Sequence, residues 1–185
     1  GPAAMVVQMP SNLSFVEAAT IPTVFTTVHI AFDASANLQK GEKVLIHASA
    51  GGVGLAGVQI ANSMGAEVIS TAGGPGKRSL LHNLGVKHVL GSRDTNFAED
   101  ICMLGGADVV LNSLTSSGMI GASVASLNRG GRFVEISKRD IWSTSRFQQE
   151  RGDINYALLA VDFLPPSVLN STLQKIANEL ATGQI

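Results

Sequence analysis

The sequence predicts an α/β fold: a doubly wound parallel sheet of Rossmann type, strand order 3-2-1-4-5-6, with helices on both faces. Three observations predict it. Between residues 43 and 162, short β-branched runs alternate with helix-length segments, the pattern of parallel strands joined by right-handed helical crossovers. The runs are mostly apolar throughout, as strands buried on both faces are. The first of them enters a glycine turn, Gly51-Gly52-Val53-Gly54, that opens a helix.

The elements follow in order. Ser14-Phe15-Val16-Glu17 has capping-box spacing, in which the Ser and Glu side chains satisfy each other's orphan backbone donors, so a helix starts there. Pro22 suits the first turn of a second helix, Thr23 to Ala36, whose Val24, Val28 and Phe32 recur every four positions on one side. Six strands are expected at Lys43–His47, Glu67–Thr71, Lys87–Leu90, Asp108–Asn112, Arg132–Ile136 and Tyr156–Phe163. Helices over Gly52–Met64, Gly76–Leu84, Asn96–Met103, Ser117–Ser126 and Pro165–Thr182 fill the gaps. Gly65, Gly85 and Gly183 stand where C-terminal caps belong. From Arg139 to Asn155 the chain is polar, without a sustained apolar period, and reads as an irregular surface excursion.

Composition narrows the function classes. With 185 residues, 45% hydrophobic and 15% charged, the chain can bury one ordinary core without staples. A formal net charge of -1 supplies no basic field for a nucleic-acid backbone, so no nucleic-acid partner is expected. The single Cys102 has no disulfide mate and no Cys or His at ligand spacing, which predicts no metal site and a reducing, cytoplasmic setting. No apolar run reaches the ~18–20 residues of a membrane helix, so no membrane partner is expected either. Gly1 and Pro2 read as an expression scar; residues 1–4 are set aside as scar and linker, and one nucleotide-binding subdomain is expected over 5–185, with its N-terminal helices at 14–36.

The strand Val44-Leu45-Ile46-His47 running into Ala48-Ser49-Ala50-Gly51-Gly52-Val53-Gly54 is the strongest chemical signal. Glycines let backbone approach a pyrophosphate, while a helix N-terminus offers free N–H groups and positive dipole to its charge. Ser49 stands where the usual fingerprint has its first glycine. The same cluster can serve tight strand-to-helix packing alone. At the second strand no acidic residue waits for the ribose hydroxyls of NAD; Ser70-Thr71-Ala72-Gly73-Gly74-Pro75-Gly76-Lys77-Arg78 instead puts hydroxyls and cations where a 2′-phosphate would lie. NADPH is therefore favoured over NADH. Lys77 and Arg78 have an alternative reading as solvated charges, though cations are mildly unfavourable at a helix start. Arg93 reads either as a further cation or adenine-stacking group, or as half of an ion pair with Asp94. Asn112-Ser113-Leu114, after the fourth strand, lies at the ligand-binding edge of such sheets beside the expected nicotinamide ribose, or simply caps the next helix.

Together Leu45-Ile46-His47-Ala48-Ser49-Ala50-Gly51-Gly52-Val53-Gly54, Val109-Val110-Leu111-Asn112-Ser113-Leu114 and Gly130-Gly131-Arg132-Phe133-Val134-Glu135-Ile136-Ser137-Lys138-Arg139-Asp140 resemble the enoyl reductase domains of modular polyketide synthases and animal fatty acid synthase. These are medium-chain dehydrogenases/reductases. Phe15-Val16-Glu17-Ala18-Ala19-Thr20-Ile21-Pro22 with Thr27, and Asp162-Phe163-Leu164-Pro165-Pro166, extend the resemblance to both ends. It implies an NADPH-dependent oxidoreductase acting on an α,β-enoyl thioester carried by acyl carrier protein, with hydride to the β-carbon and a proton to the α-carbon. It implies cofactor contacts from Thr27, Ser49, Gly51, Gly52, Val53, Gly54, Ser70, Thr71, Lys77, Arg93, Asn112, Ser113, Leu114, Ile136 and Ser137. The proton-donor pair falls on Lys138 and Asp162, for which a structural ion pair is the competing account.

Ser137 departs from the family's usual glycine before the lysine. The family's substrate-binding subdomain, with a candidate catalytic tyrosine, is absent from this sequence, and Tyr156 reads as a core residue. Little or no turnover is expected of this segment alone. The implied partners are the remaining domains of a parent synthase and a second copy of itself. Three alternatives stand beside this reading: a stand-alone quinone oxidoreductase-like NADPH reductase, a catalytically idle structural module, and, within the family resembled, a relative turned to hydride-driven ring closure.

Overall fold

The computed structural model describes residues 5–185; the segment set aside as scar and linker, 1–4, lies outside the described residues. Six parallel strands form one sheet in the order β3-β2-β1-β4-β5-β6, as predicted. They are β1 (Lys43–Ile46), β2 (Glu67–Ala72), β3 (His88–Gly91), β4 (Ala107–Asn112), β5 (Leu127–Glu135) and β6 (Asn155–Leu158). Because β2 and β4 flank β1, the crossovers leave in opposite directions on either side of it, which makes the β1/β4 carboxyl ends the topological switch point.

Both faces of the sheet are covered. Val44 and Ile46 point into one apolar cluster and Leu45 into the other, all three fully buried, which is why β1 reads as a continuous hydrophobic run. The first cluster packs α2 (Pro22–His29), α3 (Gly52–Ser63), α4 (Pro75–Asn83) and α8 (Pro166–Thr182) on the sheet. The second is built on Phe97 and Ile101 of α5 (Phe97–Met103), Ile120 and Val124 of α6 (Met119–Ala125), and Phe147 of α7 (Thr144–Glu150). At Gly57 a Cβ would sit 3.2 Å from Ile46 Cδ1, so glycine is what lets α3 lie close on β1.

The helix signals hold. Ser14 and Glu17 make the capping box of α1 (Phe15–Ala19), and Gly65, Gly85 and Gly183 adopt φ of +75°, +85° and +70° at helix ends. Val28 and Phe32 of the second helix are fully buried, yet that helix changes register: after His29 it continues as a π-helical turn, Ile30–Ser35, closed by Ala36 N–H to Ala31 C=O.

Three expectations need correction. The excursion at 139–155 contains α7, N-capped by Ser143 Oγ accepting from Arg146 N–H. Phe147 is its one buried residue, so no helical period was there to detect. The fifth strand begins at Leu127 rather than Arg132, pairing with Ala107 before a register shift. The sixth ends at Leu158 rather than Phe163, because its partner β5 ends opposite at Glu135; Val161–Phe163 forms a 3-10 turn instead.

Candidate functional site

The glycine turn sits at the switch point. Ala48 takes φ +50°, and Ser49 is fully buried, its Oγ donating to Ile46 C=O and its N–H to Thr71 C=O. The Ser49 side chain therefore caps the strand and does not face a ligand. A Cβ on Gly54 would fall 2.3 Å from Ser49 Cα and 2.6 Å from Ala48 O, so only glycine lets the helix start against this turn. Gly51 is the N-cap of α3 with no side-chain cap, and the first bond of the helix is Leu55 N–H to Gly51 C=O. The amides of Gly52, Val53 and Gly54 precede that bond and point out of a twelve-residue helix, an arrangement suited to a diphosphate.

At the exit of β2 the cations gather while the hydroxyls do not. Ser70 and Thr71 are fully buried; Thr71 Oγ1 is taken up by His47, and Ser70 Oγ has no partner. What remains at the surface is Gly73 and Gly74 with Lys77, Arg78 and Arg93. Arg78 Nη1 lies 3.5 Å from Ala72 O and Arg93 Nε 3.4 Å from Gly73 O. A Cβ on Gly73 would come within 2.9 Å of Arg93 Nε, so this glycine makes room for the guanidinium. Asp94 accepts from Asn96 N–H, and the ion pairs among the described residues involve none of Lys77, Arg78 and Arg93, which disposes of an Arg93–Asp94 pair.

Across the switch point, Asn112 closes a turn over Leu114: its Oδ1 accepts Leu114 N–H at 3.3 Å and its Nδ2 donates to Leu114 C=O at 3.2 Å. Ser113 Oγ donates to His47 C=O at 3.4 Å. Ile136 N–H donates to Asn112 C=O, which sets Ile136 and Ser137 beside the turn. Thr27, from α2, spends its hydroxyl on Thr23 C=O and is nearly buried. Lys138 and Asp162 form an ion pair between the β5 exit and the 3-10 turn, with both side chains about 60% exposed (62% and 60%). Tyr156 stacks on Phe147 at 4.1 Å between ring centroids and donates to Trp142 C=O, a packing role; burial, then the nearby Glu135, pushes its phenol above the usual range.

Two buried groups escaped the sequence reading. His47 accepts from Thr71 Oγ1–H at Nδ1 (2.9 Å) and donates from Nε2 to Ser123 Oγ (2.7 Å), whose own hydrogen goes to Met119 C=O. Burial pulls its pKa down to about 3 and keeps it neutral. Glu135, also fully buried, joins Asn112 to Ser137. The available signal was a polar residue inside an apolar strand run, which in a sheet covered on both faces must find partners.

Glycine turn, switch point and a basic second-strand exit define a dinucleotide-binding domain of the Rossmann class. Residues 52–151 match a family described as zinc-binding dehydrogenase. Among the described residues no group of three or more His, Cys, Asp or Glu is placed to hold a metal ion. The chain is 44% identical over 183 residues to the spectinabilin polyketide synthase system protein NorB of Streptomyces orinoci, covering 98% of this chain and 8% of that protein. Structurally it is similar to the CurF ER cyclopropanase of the curacin A biosynthetic pathway (38% identity, TM-score 0.93, covering 97% of this chain and 55% of that one). It is also similar to the nucleotide-binding subdomain of the enoylreductase domain of PpsC from Mycobacterium tuberculosis (34% identity, TM-score 0.80, covering 89% of this chain and 96% of that one). A quinone oxidoreductase from Thermus thermophilus, solved also with NADPH, is more distant at 27% identity and TM-score 0.74, over 97% and 56%. The chain belongs to the enoyl reductase domains of polyketide synthases, within the medium-chain dehydrogenase/reductase superfamily, and corresponds to their nucleotide-binding subdomain. It spans less than a tenth of the length of the synthases it matches.

Proposed function

We propose that this chain binds NADPH and serves as the cofactor half of an enoyl reductase that reduces an α,β-enoyl thioester held on acyl carrier protein. One observation supports the reading: Arg78 and Arg93, neither in an ion pair among the described residues, each reach a backbone carbonyl at the exit of β2, with Lys77 in the first turn of α4, and β2 lies next to β1, which opens into the free amides of Gly52–Gly54. Amides and helix dipole suit a diphosphate, and guanidinium and ammonium groups suit the additional 2′-phosphate that distinguishes NADPH. NADPH, when bound, supplies the hydride for the β-carbon. The chain's own part is to hold that cofactor over the carboxyl edge and, through Lys138 steadied by Asp162, to deliver a proton to the α-carbon. The substrate-binding subdomain would close the cleft, so this segment alone shows little turnover. The parent's other domains, a carrier protein and a second copy are its partners, in a cytoplasmic setting; no helix of the described residues is long and apolar enough to cross a membrane.

Calorimetric titration tests the reading. NADPH should bind at least about tenfold more tightly than NADH, the effect of one or more charge-assisted bonds to the extra phosphate. Tighter NADH binding, or no NADPH binding at millimolar concentration, overturns it; the latter outcome favours an idle module. The likeness to a cyclopropanase domain favours a second reading, in which the enolate left by hydride addition displaces a leaving group carried by the substrate and closes a ring instead of taking a proton. Product analysis of the intact reductase separates the two, since reduction leaves an open saturated chain and closure does not.

A further inference from the structure

One buried charge lies where the two halves of the expected nicotinamide site meet. Glu135 ends β5 and Asn112 ends β4, and both are fully buried. Glu135 Oε2 accepts from Asn112 Nδ2 at 2.6 Å and Oε1 accepts from Ser137 N–H at 2.8 Å. A single carboxylate thus ties the Asn112–Leu114 turn to the Ser137–Lys138 exit. Packing does not require a charge here, since an apolar side chain would fill the space without the desolvation that pushes this carboxyl above its usual range. The two bonds it accepts are what the charge provides, and both act where the chain leaves the sheet at its carboxyl edge.

We propose that Glu135 is a positioning residue that fixes the turn after β4 against the exit of β5 and so builds the seat for the nicotinamide half of the dinucleotide. This rests on the NADPH reading above. The bond has a direction, Asn112 donating and Glu135 accepting, and that direction can be reversed. In a Glu135→Gln, Asn112→Asp double variant, the Gln amide donates to the new carboxylate while its oxygen still accepts from Ser137 N–H; only the Asn112 Nδ2 bond to Leu114 C=O is not restored.

The test compares NADPH with adenosine 2′,5′-bisphosphate, which lacks the nicotinamide half, on the wild-type chain, Glu135→Gln, Asn112→Asp and the double variant. Wild type should bind NADPH more tightly than the bisphosphate. Each single variant should lose on the order of tenfold in NADPH affinity with bisphosphate affinity unchanged, and the double variant should recover part of the loss, binding NADPH several-fold more tightly than Asn112→Asp, with which it shares the missing Leu114 bond. Singles that bind both ligands as wild type does, singles that lose both equally, a double variant that fails to recover or to fold, or a wild type with no preference for NADPH over the bisphosphate each overturn the proposal. If a single variant unfolds, the double variant decides alone. Failure of wild type to bind either ligand sinks the NADPH reading itself and is thereby distinguishable.

Discussion

His47→Gln should remove a large part of the acid sensitivity of this domain. The His47 ring is fully buried against Phe97, with both nitrogens engaged: Nδ1 takes a hydrogen from Thr71, and Nε2 gives one to Ser123. A proton on Nδ1 would force the Thr71 hydroxyl to turn its own hydrogen away and accept from Nδ1 as well as from Ala48 N–H, and the charge on the ring would still be buried. In the unfolded chain the ring titrates at 6.5, and in the fold at about 3. Its contribution is therefore present above pH 6.5 and is lost as pH falls towards 3, because the unfolded state binds the proton first. At ~1.4 kcal/mol per pH unit, the wild type should lose roughly 2 kcal/mol between pH 6.5 and 5, and at most roughly 5 kcal/mol by pH 3. Glu135 has the opposite sign: with its pKa raised, its contribution grows as pH falls, but it is common to both proteins and cancels in the comparison. Urea unfolding at pH 5, 6, 7 and 8 should show His47→Gln less stable at pH 8 by about 1–3 kcal/mol, for the bonds lost, with the pH slope below 6.5 shallower than wild type by about that 2 kcal/mol. Parallel slopes, or a His47 ring seen by NMR to titrate near 6.5 in the folded protein, refute the reasoning.

Other outcomes follow from the same geometry. Alanine at Lys77, Arg78 or Arg93 should raise the NADPH dissociation constant about tenfold or more each while leaving NADH nearly untouched, as isothermal titration will show. Asp162→Asn should move the melting temperature little, because exposed ion pairs contribute at most about 1 kcal/mol; in the intact reductase it should lower kcat, and unchanged turnover would remove Lys138 and Asp162 from the chemistry. Phe147→Ala should cost about 3–5 kcal/mol by denaturant unfolding and weaken the aromatic near-UV circular dichroism of Trp142 and Tyr156, since Phe147 is the one buried residue of α7.

The fold was legible because its information is local and repeated. Most strands announce themselves by a mostly apolar run and several helices by a cap such as Ser14 or Gly65, and the strand order then follows from right-handed crossovers around one glycine turn. What stayed hidden depends on contacts between distant segments. Helix α7 has a single inward residue, so its existence is decided by Phe133 and Tyr156 across the chain. The end of β6 is decided by where β5 stops. At the site, the glycines and cations could be placed by sequence, since their backbone position is what counts. Ser49, Ser70, Thr71 and Thr27 look alike in sequence whether a hydroxyl faces a phosphate or the interior; the structure turns all four to neighbouring protein groups or into the core.

The buried polar residues explain how a rigid sheet can present a precise edge. Each strand leaves the sheet through a loop, and nothing in parallel pairing fixes one loop against the next once the ladder has ended. His47 solves this on one side of the switch point by binding β2 at Thr71 and α6 at Ser123 just before the glycine turn. Glu135 solves it on the other by binding the β4 turn at Asn112 and the β5 exit at Ser137. Ser113 Oγ, reaching the carbonyl of His47, links the two arrangements. The glycine turn and the edge formed by the β4 and β5 exits are thus set relative to each other by side-chain hydrogen bonds beneath them, and on the proposed NADPH reading a variant in either network should disturb its own half of the cofactor before it disturbs the other.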